Sequence, residues 1–125
     1  NPSLARAMTT TQWWDAVATR VDSGLADGMN FTINFISDDT QQIFVVEMSG
    51  GTLSNIEGYL SDEADVTITM NRSDLETVIM GQETLGSQLR AGVGTLTGNQ
   101  SVLLQLESVL VTFDASFEVM PGTGN

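Results

Sequence analysis

The sequence predicts an α+β domain with helices gathered on one face of a sheet. Met29, Phe31, Ile33 and Phe35 alternate with Asn30, Thr32 and Asn34, the period of two that marks a half-buried strand. Three further strand-like runs follow, separated by turn-forming clusters. After residue 73 the apolar spacing becomes helical. Strands first and helices later is the order of α+β rather than of alternating α/β units.

A helix comes first. Trp13, Trp14, Val17, Ala18 and Val21 gather on one side of a helix over 9–22, with Thr9, Thr10 or Thr11 as cap and Gly24 as stop. Residues 1–8 read as a lead-in, 9–120 as the domain and 121–125 as a tail. Strands follow over 29–35, 42–48, 52–60 and 65–70, broken at Ser37-Asp38-Asp39-Thr40, Ser49-Gly50-Gly51 and Ser61-Asp62-Glu63-Ala64. Connections this short predict an antiparallel meander. Asn30, Thr32 and Asn34 predict that the second sheet face is partly wet. Ser73 with Glu76 has capping-box spacing ahead of Leu75, Val78 and Ile79, and Gly81 ends that helix. A short helix over 84–90 stops at Gly92, a strand covers 93–97, and Asn99 caps a last helix carrying Val102, Leu103, Leu106, Val109 and Leu110. Residues 117–120 suggest an edge strand.

What is missing narrows the chemistry. The chain has no His, no Cys and no Lys; its cations are Arg6, Arg20, Arg72 and Arg90, against 16 carboxylates, for a formal charge of −12. The usual general base near neutral pH, most zinc sites, thiolate nucleophiles and Schiff-base lysines are thereby removed. So large a negative charge disfavours nucleic acid and anionic membranes as partners and favours solubility. No apolar run is long enough for a membrane span, and residues 1–6 lack the basic and apolar regions of a signal peptide. No cofactor, metal or catalytic residue is expected.

Several motifs have plainer explanations. The glycines from Gly92 to Gly98 do not have G-x-G-x-x-G spacing and no Lys follows, so helix stop and turn account for them. Asp38-Asp39 and Asp62-Glu63-Ala64-Asp65 lack calcium-loop spacing and fall in turns. A carboxylate pair for glycoside chemistry is not singled out by any feature. Of the sequons at Asn30, Asn71 and Asn99, two sit at helix starts, and helix capping is taken as the explanation. The last helix, apolar at 102, 103, 104, 106, 109, 110 and 111, is wider than one stripe, and six Met add pliant apolar surface. Such excess meets a ligand, a partner or a second layer, and composition leaves these alternatives open.

Ala64-Asp65-Val66-Thr67-Ile68-Thr69-Met70 is followed by Asp74-Leu75-Glu76-Thr77-Val78-Ile79-Met80-Gly81, then by Leu89-Arg90-Ala91-Gly92 and Val93-Gly94-Thr95-Leu96-Thr97-Gly98-Asn99. This order resembles the sterol-carrier-protein type-2 family. Leu4-Ala5-Arg6-Ala7-Met8, the helix from Trp13 to Asp22 and Leu110-Val111-Thr112-Phe113-Asp114 extend the likeness to the C-terminal domain of class B zinc alkylsulfatases, from Leu4 to Val119. The motifs are short, and their order and spacing carry the resemblance.

The resemblance implies a mostly antiparallel five-stranded sheet with helices packed over it, enclosing an apolar cavity or tunnel. It also implies a parent hydrolase of metallo-β-lactamase fold, usually exported, whose two-zinc site lies in another domain and cleaves long alkyl sulfates. In such parents this domain captures or positions the alkyl chain.

The ligand expected here is therefore aliphatic or lipid-like, and the expected protein partner is the catalytic metallo-hydrolase domain. Periodicity selects Phe31, Ile33, Phe35, Val46, Met48, Leu75, Ile79, Leu89, Leu103, Leu106 and Leu110 to line or flank the cavity. Arg72 and Arg90 are candidates for an anionic head group, with surface solubility as the plainer role. Two alternatives stand beside this reading: an interaction module that packs on a parent domain or forms a homodimer, and a stand-alone lipid carrier.

Overall fold

The computed structural model describes residues 2–111. The elements in chain order are α1 (Pro2–Ala7), α2 (Thr10–Thr19), β1 (Phe31–Ser37), β2 (Gln42–Ser49), β3 (Thr52–Glu57), β4 (Val66–Thr69), α3 (Arg72–Ile79), α4 (Leu85–Arg90), β5 (Thr95–Gly98) and α5 (Ser101–Ser108). The strands form a five-stranded sheet in the order β3-β2-β1-β4-β5. The edge strand expected at 117–120 and the motif residues from Thr112 onward lie outside the described residues.

The meander holds only in part. β1, β2 and β3 are successive antiparallel neighbours, but β4 passes to the far side of β1 and pairs with it in parallel before β5 returns antiparallel. The link over 58–65 is too long for a tight hairpin and is pinned across the sheet instead. The Asn34 amide donates to Ser61 O at 2.9 Å and accepts from Ser61 N at 2.8 Å. Asp65 N donates to Thr32 O, and the Asp65 carboxylate accepts from Thr32 N at 2.8 Å. These bonds deliver β4 to the free edge of β1. Asn34, expected on a wet face, is buried beneath the crossover.

The inner face carries the core. Phe31, Ile33 and Phe35 lie opposite Met48, Val46 and Phe44, and Ile33 and Phe35 also face Val66 and Ile68. All are buried, and they share one cluster with Trp14, Val17, Leu75, Leu103 and Leu106 from the helices. β5 lies close against β4. Gly94 and Gly98 have positive φ, and a Cβ at either would sit 2.6 Å from Thr69 O or 2.5 Å from Asp65 O. Glycine is required at both for that approach as well as for its conformation, which gives Gly98 a fuller reason than a turn.

Helix ends differ from expectation in several places: α2 ends at Thr19, short of residue 22, and the N-cap of α5 is Gln100, not Asn99. Residues 2–7, expected as part of a lead-in, form α1, with Ala5 buried. The box predicted at Ser73 and Glu76 does not form. Asn71 is the N-cap of α3 without a side-chain bond, and the orphan N–H groups of Arg72 and Ser73 donate to the Asp39 carboxylate from the β1–β2 turn, at 2.7 and 3.2 Å. Both caps made within their own segment are regular boxes: Thr9 with Gln12 on α2, and Thr84 with Ser87 on α4. Asn99 accepts from Ser101 N at 3.0 Å at the start of α5, next to the N-cap Gln100.

Candidate functional site

Two open grooves lie in the helical layer, one on each side of the α4–α5 contact. The first, of about 390 Å³, has a floor of Trp14, Val17, Leu85, Leu103 and Leu106, all buried, flanked by Trp13, Val78 and Leu110. Its charged members, Arg20, Glu83 and Glu107, are half-buried or exposed, so charge is confined to the mouth. The second groove, of about 370 Å³, has buried Leu103 below half-buried Leu89 and Leu96, with Arg90, Gln100 and Leu104 exposed above. Both volumes fall within the range of small-molecule pockets. An apolar floor under a polar mouth suits an amphiphile.

The chain builds the larger groove by holding α2 and α5 together at their C-terminal ends. Val21 and Leu110 form a β-bridge, Asp22 N donates to Val109 O at 2.8 Å, and Val111 N donates to Arg20 O at 2.7 Å. Trp14 is fixed edge-on between Trp13 and Phe35, at centroid distances of 4.8 and 5.4 Å, in T-shaped geometry. The Arg20 side chain is itself held by Val111 O at 3.1 Å.

Between the grooves, Arg90 on α4 faces Glu107 on α5 at 3.8 Å, and the two side chains are 59% and 33% exposed. Gly86 lies beneath them, and a Cβ there would collide with the Glu107 carboxylate. The Glu107 carboxylate and the Arg90 guanidinium therefore lie directly over Gly86, in a long, wet ion pair that contributes little to stability.

The residues selected from periodicity divide into two groups. Leu103, Leu106 and Leu110 line the larger groove, and Leu89 and Leu103 line the smaller. Phe31, Ile33, Phe35, Val46, Met48 and Leu75 are buried in the sheet–helix core and line neither; Ile79 packs half-buried against that core. Arg90 stands at the mouth of the smaller groove. Arg72 does not occupy a comparable place, nor is it a surface residue, since its side chain is 12% exposed. Its guanidinium donates to Glu76 Oε2 at 3.1 Å, Thr10 Oγ1 at 3.0 Å, Ala5 O at 2.8 Å and Met8 O. It ties α1 and α2 to α3.

Sequence reading passed over Arg20, Trp13, Trp14, Val17, Val78, Leu85, Leu96 and Leu104 as lining residues. One signal was present: Trp13, Val17 and Arg20 are spaced i, i+4, i+7, which puts the cation at the end of the tryptophan stripe.

The acidic clusters have structural partners, with Asp39 capping α3 and Asp65 fixing the crossover. No helix among the described residues is long and apolar enough to cross a membrane.

Comparison with known proteins agrees with this architecture. The chain is 28% identical over 120 residues to a linear primary-alkylsulfatase from Pseudomonas sp., a match that covers 96% of this chain and 18% of that protein. The solved structure of a stereoselective inverting sec-alkylsulfatase from Pseudomonas sp. superposes with a TM-score of 0.76 at 26% identity, over 88% of this chain and 17% of that one. The sterol carrier protein domain 2 of Helicoverpa armigera shares the fold, with a TM-score of 0.57 at 14% identity over 85% of this chain and 81% of that one. The chain thus spans less than a fifth of the length of the alkylsulfatases it matches. The sequence model of the alkyl sulfatase C-terminal family matches residues 1–122, and the chain belongs to that family.

Proposed function

We propose that this chain is a non-catalytic accessory domain of an alkylsulfatase-like hydrolase, and that it holds the aliphatic tail of an amphiphile in the groove between α2 and α5. The observation that carries this reading is the groove itself: an apolar floor of Trp14, Val17, Leu85, Leu103 and Leu106, with charge only at its mouth. Each buried methylene contributes about 0.8 kcal/mol, so the tail supplies the affinity. That matters because an alkyl sulfate meets a chain of net charge −12. Two cations are placed to meet the head group: Arg20 at the mouth of the larger groove, where Glu83 and Glu107 also stand, and Arg90 at the smaller groove, whose lining holds no carboxylate. The head group rests near one of these, not near Arg72. Membership of the alkyl sulfatase C-terminal family and the sterol-carrier-like fold support the same reading.

The test is a thermal melt of the chain with decanoate, dodecanol and dodecyl sulfate, each well below micelle-forming concentrations. A ligand that binds the native state raises the melting temperature by mass action. The expected result is a saturable rise that grows with tail length. No rise with any of the three removes the tail-binding reading.

A further inference from the structure

One patch of uncovered apolar surface among the described residues lies away from the grooves, on the outer face of the sheet and the link that follows β3. Six large hydrophobic residues are exposed among the described residues, and three of them, Ile56, Tyr59 and Leu60, fall within one five-residue stretch, at 58%, 67% and 44% exposure. Ile56 lies opposite Val45, and Ile43 opposite Ile36; all four point away from the core and the last three are half-buried. They form a stripe across β3, β2 and β1, and Tyr59 and Leu60 follow on the link that leaves β3 and reaches Asn34 at Ser61. A contiguous stripe of this kind marks an interaction surface, whereas single exposed apolar residues do not.

Charge selects the occupant. Glu47, two residues from Val45 on the same face, and Asp62 and Glu63 on the crossover are exposed beside the stripe. Arg6, Arg20, Arg72 and Arg90 all belong to the helical elements and their ends. A two-fold contact between copies would set this patch against itself, carboxylates against carboxylates with no cation to offset them. Residues 112–125 likewise carry Asp114 and Glu118 and no Arg.

We infer that the outer sheet face, with Ile56, Tyr59 and Leu60 at its centre, docks on the catalytic domain of the parent hydrolase, at a surface that is apolar in the middle and edged with Arg or Lys. The inference rests on the accessory-domain reading but not on tail binding. It leaves the grooves open on the far side of the sheet, so one domain can be held and loaded at once.

The experiment uses the full-length polypeptide that carries this chain, with a photo-crosslinking benzoylphenylalanine in place of Tyr59 and, as control, of Leu104. The expected result is cross-linking from position 59, not from 104, to hydrolase peptides containing Arg or Lys, with a yield that falls as salt screens the rim. Cross-links between two copies, cross-links to residues 112–125, or none from position 59 would overturn the inference. Dodecyl sulfate binding by a Tyr59→Asp variant is read in parallel. Lost docking with intact binding is expected of that variant. Failed docking of the parent protein with intact tail binding sinks this inference alone.

Discussion

Two corners of the helical layer carry an arginine, and they are built in opposite ways. At the α1–α2–α3 corner the Arg72 guanidinium is buried and bonded to Glu76, Thr10 and the main chain of residues 5 and 8. At the α4–α5 corner Arg90 is mostly exposed, its carboxylate partner is 3.8 Å away, and open grooves lie on both sides. A buried cation that has lost its water must be satisfied by fixed partners, so the first corner is committed to holding helices. An exposed cation keeps its water and can exchange it for a ligand. The same residue type therefore anchors one corner and leaves the other free to bind.

The sharpest way to break this contrast is Arg72→Ala. Removing the guanidinium strands Thr10 Oγ1, Glu76 and two carbonyls that folding has taken from water. The expected loss is about 3 kcal/mol, read from urea unfolding. Arg72→Lys should recover less than half of it, because one ammonium cannot reproduce a planar fork.

Leu106→Ala follows in size. Leu106 is buried in the core cluster and lines the larger groove, so truncation should cost about 2–4 kcal/mol of stability and also weaken dodecanol binding. Lower stability with unchanged dodecanol affinity would make Leu106 core alone.

Asp39→Ala tests the anchored corner from outside. It uncaps α3 by removing the acceptor for Arg72 N and Ser73 N, at an expected cost of about 1 kcal/mol. Asp39→Asn offers one acceptor oxygen in place of two, so it should keep the shorter bond, from Arg72 N, and recover only part of the loss. Equal losses for Ala and Asn in thermal melts would show that the carboxylate charge near the helix start matters more than the hydrogen bonds.

How far these features were legible depends on range. The hairpins joining β1 to β3 were readable because alternation and turn residues are local signals. The position of β4 was not, because Asn34 and Ser61, 27 residues apart, decide where the crossover runs. The cap of α3 failed for the same reason: Ser73 and Glu76 have the right spacing, but Asp39 arrives from another turn. Periodicity identified Phe31, Ile33 and Phe35 as inward-facing. It carries no information on whether the space in front of them is filled. The larger groove exists because residues 20–22 and 109–111 hold α2 and α5 at a fixed separation, a long-range contact without a sequence signature. Arg72 and Arg90 were equivalent as letters, and only burial separates them.

Arg90→Ala probes the open corner and should have the smallest effect on folding, within about 0.5 kcal/mol, as expected for an exposed ion pair. Its value lies in comparing ligands. If Arg90 meets the head group, the variant should bind dodecyl sulfate about fivefold more weakly, the equivalent of one exposed charge-assisted contact of roughly 1 kcal/mol. Dodecanol, with the same tail and no charge, should bind as before. Added salt should narrow the difference between the two ligands in the parent chain. An equal loss for both would mean that the arginine stem serves as groove wall, and would shift the search for the head-group contact to Arg20 at the other mouth. A loss confined to the sulfate establishes that a strongly acidic domain accepts an anion through one locally placed cation, at a groove whose lining holds no carboxylate.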